Sequence, residues 1–355
     1  MVSAPSVTPS GGVIKYRLRD LWRDIRAGLL GHIRDQQSDW RDIAGMVRTP
    51  VCVGDVYLLL HTLWGQRIAT LLVATAKTVY LSGHWRLERF IIRRCCRKIW
   101  ARDSDSADQL TASGADAIYA GNPVMDLLGD QILTEQAYAE CSRPLVMLLP
   151  GSRLRAYEDV KMLLDAAVIL QAQKACDYVM TLAPTISPQR LVEACEGWEN
   201  DEKNGESDKL KKGDVEIRLH QGDVPLAAKG ARLLIGLGGT ANQLCAGMGI
   251  PVISIDEKGK RVQKKLLEDS ELLVEPTPAA LADCALKVLT NPELHAMMSR
   301  AGKSRMGKPG ALDSVVGYVG RELGWGVRCE VYERLSLLTR REHRLPRTGT
   351  SPVSL

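Results

Sequence analysis

The stretch Leu145-Val146-Met147-Leu148-Leu149-Pro150-Gly151-Ser152-Arg153 decides the fold of the second half of the chain. Its five consecutive apolar residues are typical of a strand buried on both faces, as in the interior of a parallel sheet. A Pro-Gly turn ends the strand, and a helical pattern follows over Tyr157–Ala172. Glycine lets a ligand approach the backbone closely, and Arg153 can meet phosphate oxygens through its planar fork. The alternative interpretation is an ordinary strand-to-helix turn with a surface arginine.

A second glycine turn has the sequence Ile235-Gly236-Leu237-Gly238-Gly239-Thr240-Ala241-Asn242-Gln243. A predicted strand runs into the glycines, and Thr240 opens a helix. Free backbone N–H groups and the helix dipole favour an anion at such a point. Thr240 can either bond a phosphate or cap the helix. The spacing departs from GxGxxG, and no lysine follows as in a P-loop, so both of those nucleotide motifs are excluded.

Further strands are predicted along the chain, and they alternate with helical segments. Such alternation predicts α/β architecture with parallel sheets whose faces are covered. The amphipathic segment Tyr16–Ile33 predicts one helix, and the polar segment Glu196–Asp214 predicts a solvated loop or insertion. The strands are expected at Val51–Val53, Thr78–Leu81, Lys98–Ala101, Ala117–Tyr119, Leu145–Leu149, Tyr178–Leu182, Val215–Leu219, Leu233–Ile235, Val252–Ile255 and Leu272–Val274.

Two α/β units therefore follow one another. We expect a partial Rossmann-like domain over 1–128, a connector over 129–143, a nucleotide-binding Rossmann-like domain over 144–310, a C-terminal helix over 311–325 and a flexible basic tail over 326–355. Ligands of such sheets bind outside the carboxyl ends of the strands. A cleft shared by the two units is the expected site.

Composition narrows the function classes. The 355 residues carry a formal net charge of +5, a weak bias that does not predict nucleic-acid binding. The nine cysteines form no CxxC and share no ligand spacing with histidines, so reduced thiols and no metal site are expected. No signal peptide or membrane-spanning stretch is predicted, which favours a cytoplasmic location. Peripheral contact with the inner membrane through the basic Trp85–Trp100 stretch is one interpretation, and an amphipathic helix of a soluble protein explains that stretch equally well.

Several motifs together resemble a known family. Gly121-Asn122-Pro123-Val124-Met125-Asp126, Leu149-Pro150-Gly151-Ser152-Arg153, Gly239-Thr240-Ala241 and Ala246-Gly247-Met248-Gly249-Ile250-Pro251-Val252 occur in the order and spacing of lipid-A-disaccharide synthase and its relatives. The chain is most similar to the lipid-A-disaccharide-synthase-related branch of the GT-B glycosyltransferases. The resemblance covers roughly Pro9 to Leu323.

The resemblance implies a GT-B fold, with two Rossmann-like parallel-sheet domains facing a cleft. It implies a UDP-sugar as donor substrate, no cofactor, and a lipid-linked or other glycan as acceptor. Asp55 lies near the position of the family's catalytic acidic residue, where it could deprotonate an acceptor hydroxyl, although a helix cap is an equal alternative. The implied donor-binding residues are Gly151, Ser152, Arg153, Gly238, Gly239, Thr240, Ala241 and Gln243.

Two departures from the family matter. Relatives often have Glu where this chain has Gln243, so a hydrogen bond to the ribose would lack charge assistance. The family's first strand and Gly/His-rich loop have no counterpart before Val13, so the N-terminal domain is expected to be incomplete, with exposed edges. The alternative to an active transferase is therefore a truncated, inactive homologue that binds nucleotide-sugar or acts as a scaffold. A sugar-nucleotide epimerase is less favoured, because it needs several acidic residues around the cleft and only Asp55 can be named there.

Overall fold

The computed structural model describes residues 18–47, 49–65, 69–133, 143–203 and 206–322. The chain divides into two compact units, 1–311 and 312–355, and both sheets belong to the first. The predicted tail, 326–355, and most of the predicted connector, 134–142, lie outside the described residues. The domain boundaries predicted from the sequence stay predictions.

A smaller, four-stranded parallel sheet occupies the first part of the chain. Its strands lie in the order β1-β2-β3-β4, so β1 is an edge strand. The strands are β1 (Val51–Val53), β2 (Thr70–Ala74), β3 (Cys96–Ala101) and β4 (Ala117–Ile118).

A larger, eight-stranded sheet occupies the second part. Six of its strands are parallel, and an antiparallel hairpin extends one edge. Its strands are β5 (Leu145–Leu149), β6 (Asp177–Leu182), β7 (Glu199–Lys203), β8 (Glu206–Lys212), β9 (Val215–Gln221), β10 (Ala231–Gly236), β11 (Val252–Ile255) and β12 (Glu271–Val274).

The order of the larger sheet is β12-β11-β10-β5-β6-β9-β8-β7. From β5 the chain adds strands on one side as far as β9, and it then returns to add β10, β11 and β12 on the other side. The switch point therefore lies between the neighbouring strands β5 and β10, where Gly236 is in register with Leu149. Open α/β sheets bind their ligands at such a switch point, outside the carboxyl ends of the strands.

Helices cover these sheets and connect their strands. In the first unit they are α1 (Leu18–Arg26), α2 (Leu29–Ala44), α3 (Val56–Gly65), α4 (Arg86–Cys95), α5 (Ser104–Ala112), α6 (Ala156–Gln173), α7 (Pro188–Ala194), α8 (Val224–Ala228), α9 (Thr240–Gly247), α10 (Lys258–Leu267), α11 (Pro278–Thr290) and α12 (Pro292–Met306). The second unit contains all but the first residue of α13 (Ala311–Glu322). Short 3-10 segments lie at Met125–Leu133 and Glu268–Ser270.

The cores confirm a layered α/β fold. One apolar cluster packs α6, α7 and α11 against one face of the larger sheet, and a second packs α8, α9 and α10 against the other face. Consistent with this, every residue of β5 is buried. A third cluster lies within the smaller sheet and its helices. The predicted α/β class with Rossmann-like parallel sheets is thus confirmed.

Three sequence predictions were wrong. The strand expected at Thr78–Leu81 is a turn, in which the Thr78 carbonyl accepts bonds from the amides of three later residues, and the strand lies instead at β2. The loop expected at Glu196–Asp214 contains β7 and β8, because β9 offers a free edge with which β8 pairs. The single helix expected at Tyr16–Ile33 is interrupted at Gly28, whose φ of 101° is a left-handed conformation that glycine adopts readily.

Candidate functional site

The first glycine turn follows β5, as the sequence predicted. Gly151 has a φ of 109°, a region that favours glycine, and the turn exposes Ser152 and Arg153 to solvent. The Ser152 carbonyl accepts a bond of 2.8 Å from the Thr185 hydroxyl, which joins this turn to the loop after β6. The arginine fork is thus presented at the carboxyl end of the central strand.

The second glycine turn lies directly beside the first. The amide of Leu237 donates a hydrogen bond of 2.8 Å to the carbonyl of Leu149, and the Leu237 carbonyl lies 3.8 Å from the position that a Cβ on Gly151 would occupy. The structure therefore brings together two motifs that are more than eighty residues apart in the sequence, at the switch point of the sheet.

The N-terminus of α9 is open. The residue that precedes the helix is Gly239, which cannot supply a side-chain cap, and Thr240 is the first helical residue rather than the cap. Gly239 and Thr240 are both exposed. The first amides of α9 are left without a capping side chain, and their N–H groups and the helix dipole favour an anion. Of the two alternatives for Thr240, the helix-capping one is wrong.

A buried polar network holds this second turn from below. Asn242 is fully buried and donates to the carbonyl of Gly236 at 2.8 Å and to the hydroxyl of Ser254 at 3.1 Å. The Ser254 hydroxyl also donates to the Gly236 carbonyl. Gly236 has no room for a side chain, because a Cβ there would lie 2.9 Å from Cγ of Asn242. The network therefore fixes the backbone of the second glycine turn, which leads into the uncapped amides of α9.

Lys260 on α10 is a site residue that the sequence analysis missed. Its ammonium donates to the carbonyl of Gly238, and the side chain is only 5% exposed. Burial lowers the pKa of Lys260 to about 8, although the negative charges of Glu271 and Glu257 oppose that shift. The sequence alone does not single out Lys260, because α10 contains three other lysines.

A pair of ions spans the rim of the site. Arg155 donates to Glu257 at 2.7 Å and to Asp159 at 3.1 Å, which links the start of α6 to the loop that follows β11. Arg155 and Glu257 are both more than a third exposed, so the ion pair between them contributes little stability. Because the pair lies at the carboxyl edge of the sheet, the charges of Arg155 and Glu257 lie beside the two glycine turns.

Gln243 makes a contact that the sequence did not predict. Its side-chain oxygen accepts a hydrogen bond of 2.5 Å from the guanidinium of Arg102, which follows β3 of the smaller sheet. Arg102 is buried, and it also donates to the carbonyl of Thr75, at 3.4 Å. Burial lowers the pKa of Arg102, yet a guanidinium remains charged at any ordinary pH. The carboxyl edge of the smaller sheet therefore meets the start of α9.

Asp55 follows β1, at the same edge of the smaller sheet. One of its carboxylate oxygens accepts a bond of 2.6 Å from the amide of Val56, the first residue of α3. Asp55 therefore precedes α3 directly, as the helix-cap alternative expects, but its bond goes to the first amide of the helix, whereas a capping side chain bonds the second or third. Its role as a general base stays a prediction. The second carboxylate oxygen takes no part in the bond to Val56.

An acid–base cluster lies near Asp55, and the sequence analysis missed it. His84 is 4% exposed, and neither ring nitrogen makes a hydrogen bond to a described residue. Burial lowers its pKa, while the charges of Glu88 and Asp55 act in the opposite direction. Glu88 lies 3.8 Å from the His84 ring and is ion-paired with Lys77. Burial favours the protonated form of Glu88, but the bonds from Lys77 and the Trp85 amide outweigh it and lower its pKa.

The Gly121–Asp126 motif joins the two halves rather than binding at the cleft. The side chain of Asn122 donates to the carbonyl of Met306, and its amide donates to the carbonyl of Lys308, both at 2.8 Å. The carboxylate of Asp126 accepts a bond of 2.6 Å from the amide of Gly310. The motif thus holds the segment that returns after α12.

No helix of the described residues is both long and apolar enough to span a bilayer. No group of three or more His, Cys, Asp or Glu side chains in that part of the chain is arranged to hold a metal ion.

Comparison with solved structures identifies the fold. A putative UDP-N-acetylglucosamine 2-epimerase from Listeria monocytogenes has a TM-score of 0.57 at 16% identity, with 84% of this chain and 81% of that chain covered. The UDP-GlcNAc 2-epimerase from Neisseria meningitidis, bound to UDP-GlcNAc, has a TM-score of 0.55 at 14% identity, with 82% of each chain covered. A spinosyn rhamnosyltransferase complexed with thymidine diphosphate has a TM-score of 0.52 at 15% identity, with 84% and 81% covered.

No protein-family model matches the sequence. No curated protein matches it either. The likeness to lipid-A-disaccharide synthase therefore rests on the sequence motifs alone. At these identities the structural neighbours show the fold, and that fold is the GT-B arrangement shared by nucleotide-sugar epimerases and glycosyltransferases.

Proposed function

We propose that this chain binds a UDP-sugar and acts as a glycosyltransferase of the lipid-A-disaccharide synthase-like type. One observation carries the proposal: two turns suited to anions meet at the switch point of the larger sheet, joined by the bond between the Leu237 amide and the Leu149 carbonyl. A diphosphate needs two such anion sites side by side. The neighbours bound to UDP-GlcNAc and to thymidine diphosphate support a nucleotide-diphosphate ligand.

The donor is assigned to the larger half. Gly151, Ser152 and Arg153 would contact its phosphates from one side, and the loop Gly238–Ala241 would contact them from the other. Gln243 would act mainly through its amide N–H groups, because its oxygen already accepts a bond from Arg102. Arg102 would in this way position Gln243 and add positive charge at the base of the cleft.

The acceptor is assigned to the smaller half. Asp55 would remove the proton from the attacking hydroxyl, through the carboxylate oxygen that does not bind Val56. A lipid-linked acceptor is supported by α4, which begins two residues after His84. Its exposed residues include Leu87, Phe90 and three arginines, Arg86, Arg93 and Arg94. The loop residue Trp85 is 69% exposed.

A surface of this composition suits an anionic membrane. Arginine side chains bind lipid phosphates while the apolar side chains enter the interface. Glu88, the acidic residue of this helix, faces inward to Lys77 and does not neutralise the exposed side. We therefore extend the proposal to peripheral membrane contact through α4.

A second candidate function is a UDP-sugar epimerase. The observation that favours it is the cluster of Asp55, His84 and Glu88. Epimerisation requires an acid and a base that act on opposite faces of one carbon, and this cluster supplies more ionisable groups than Asp55 alone.

Isothermal titration of the chain with UDP tests donor binding. We expect Arg153→Gln to weaken binding about tenfold, because a charge-assisted hydrogen bond contributes roughly 1.5–3 kcal/mol. Thr240→Glu should weaken it similarly, since the new carboxylate would occupy the anion site. The matched control is Arg218→Gln, which removes one exposed arginine of β9. Equal affinities for the three variants, or no binding of UDP, would reject the proposed site.

Incubation with UDP-GlcNAc as the probe donor separates the alternatives. UDP release that depends on an added lipid-linked glycan supports the transferase. Formation of an epimer of the UDP-sugar without any acceptor supports the epimerase. UDP binding without either reaction supports the inactive, nucleotide-sugar-binding homologue.

A further inference from the structure

A second cavity lies at the opposite edge of the larger sheet. It has a volume of about 700 Å³ and is bordered by Ala231, where β10 begins, and by Ile250, just before β11. The second glycine turn of the candidate site follows the other end of β10. Since β10 has six residues, roughly 17 Å of strand separates the two edges. The cavity is therefore distinct from the cleft.

The charges around this cavity all have one sign. Lys229, Arg232, Lys303 and Lys308 line it, together with His295, and no carboxylate of the described residues does. None of the four cations forms an ion pair with a described acidic side chain. A concave surface lined by charges of one sign concentrates oppositely charged ligands.

The lining is also partly fixed in place. The Nε2–H of His295 donates to the carbonyl of Arg232 at 2.8 Å. Gly249, with a φ of 85°, lies against the side chains of Lys303 and Ser299. Lys308 is held through its carbonyl, which accepts the Asn122 amide at 2.8 Å.

The floor of the cavity is apolar. Met125, Leu128 and Ile250 contribute to it, and all three are buried. A volume of this size lies within the range of small-molecule sites, which combine apolar walls with a few placed polar groups. The complementary ligand has a compact organic body and carries phosphate groups.

We infer that this cavity is a second binding site, for a small phosphorylated metabolite with at least two negative charges. Four cations provide more positive charge than a ligand with a single carboxylate would need. Lysine and arginine are the side chains that bind phosphate oxygens. The wall contains Met125 and Leu128, which follow the smaller sheet, and Lys308, which follows α12. An occupant would therefore bridge the junction held by Asn122 and stabilise the chain against unfolding.

Titration with inorganic pyrophosphate tests this inference. The cleft is blocked with excess UDP, and the titration is repeated with the Arg153→Gln chain, so that the result does not depend on UDP binding. We expect one pyrophosphate to bind per chain and to raise the melting temperature. In the double variant R232Q/K308Q the affinity should fall by about tenfold or more, the loss expected when charge-assisted phosphate contacts are removed.

The matched control is R218Q/K265Q, which removes one exposed arginine and one exposed lysine elsewhere on the chain. It should bind pyrophosphate like the unmodified chain. Equal weakening in both double variants would mean that only net charge matters, and it would overturn the inference. Absence of binding at about 10 mM pyrophosphate, a concentration far above the dissociation constant of a specific site, would overturn it as well.

Discussion

A single substitution can separate the two roles considered for Asp55, which are a structural role at the start of α3 and a role as general base. Its carboxylate bonds the first amide of α3, and asparagine at that position keeps an acceptor oxygen and is an equally good cap. We therefore expect Asp55→Asn to leave the melting temperature and UDP affinity unchanged. Turnover should fall by roughly 10²–10⁴, the usual contribution of a general base. A stable variant with full turnover would show that Asp55 is only a cap.

Lys260 makes stability depend on pH in a predictable direction. Its pKa is lowered to about 8 in the folded chain, from 10.5, so the unfolded chain binds more protons between these values. The cost of burying the charge is present below pH 8 and is relieved as the pH rises toward 10.5.

Urea unfolding of the chain and of Lys260→Met, at pH 7.5 and pH 9.5, measures this effect. The stability of the unmodified chain relative to the variant should rise by about 2 kcal/mol between the two pH values, from about 1.4 kcal/mol per pKa unit. A difference that stays constant, or that falls, would contradict the buried, proton-releasing lysine.

At the scale of elements, α4 is unusual because its outward side is apolar and basic at once. Phe90 is 54% exposed and lies between exposed arginines. We expect the chain to sediment with vesicles that contain anionic phosphatidylglycerol, and we expect Phe90→Asp to reduce the bound fraction several-fold, because a charge replaces an apolar anchor.

Met297→Asp is the matched control for α4, since Met297 is an exposed apolar residue of α12. It should bind vesicles like the unmodified chain. Neutral phosphatidylcholine vesicles should bind less than anionic ones. Equal binding of both variants, or no binding at all, would remove α4 as a membrane face.

On the scale of the whole molecule, the two halves depend on a close approach of backbone to backbone. Gly310 has a φ of 128°, and a Cβ there would lie 2.8 Å from the carbonyl oxygen of Ala120. Gly213 also has a positive φ, of 58°, but it faces open space. Alanine at either position would strain the backbone because φ is positive. At Gly310 its Cβ would also clash with the Ala120 carbonyl oxygen.

Gly310→Ala should therefore destabilise the chain more than Gly213→Ala does. We expect about 1–2 kcal/mol for the left-handed residue alone, and roughly 1–3 kcal/mol more at Gly310, where the backbone must also move. Chemical unfolding monitored by tryptophan fluorescence measures both. If the two variants are equally stable, the junction at Gly310 is not tightly packed in solution.

The sequence by itself determined the features that depend on neighbouring residues. β5 and β11 lie at the predicted residues, because a buried strand has a continuous apolar run that ends at turn residues. Both glycine turns were predicted for the same local reason. The wrong prediction at Thr78–Leu81 shows the limit, because the apolar residues from Val51 to Leu81 could be divided into strands and helices in several ways.

Only the tertiary structure decided which distant groups meet. Arg102 and Gln243 are 141 positions apart, and their contact depends on how the smaller sheet lies against α9. Lys260 is the buried lysine of α10, and it is buried where its ammonium meets the Gly238 carbonyl. Local sequence sets dihedral angles and apolar periodicity, whereas burial and charge at a site arise from packing between elements, which no short stretch of sequence encodes.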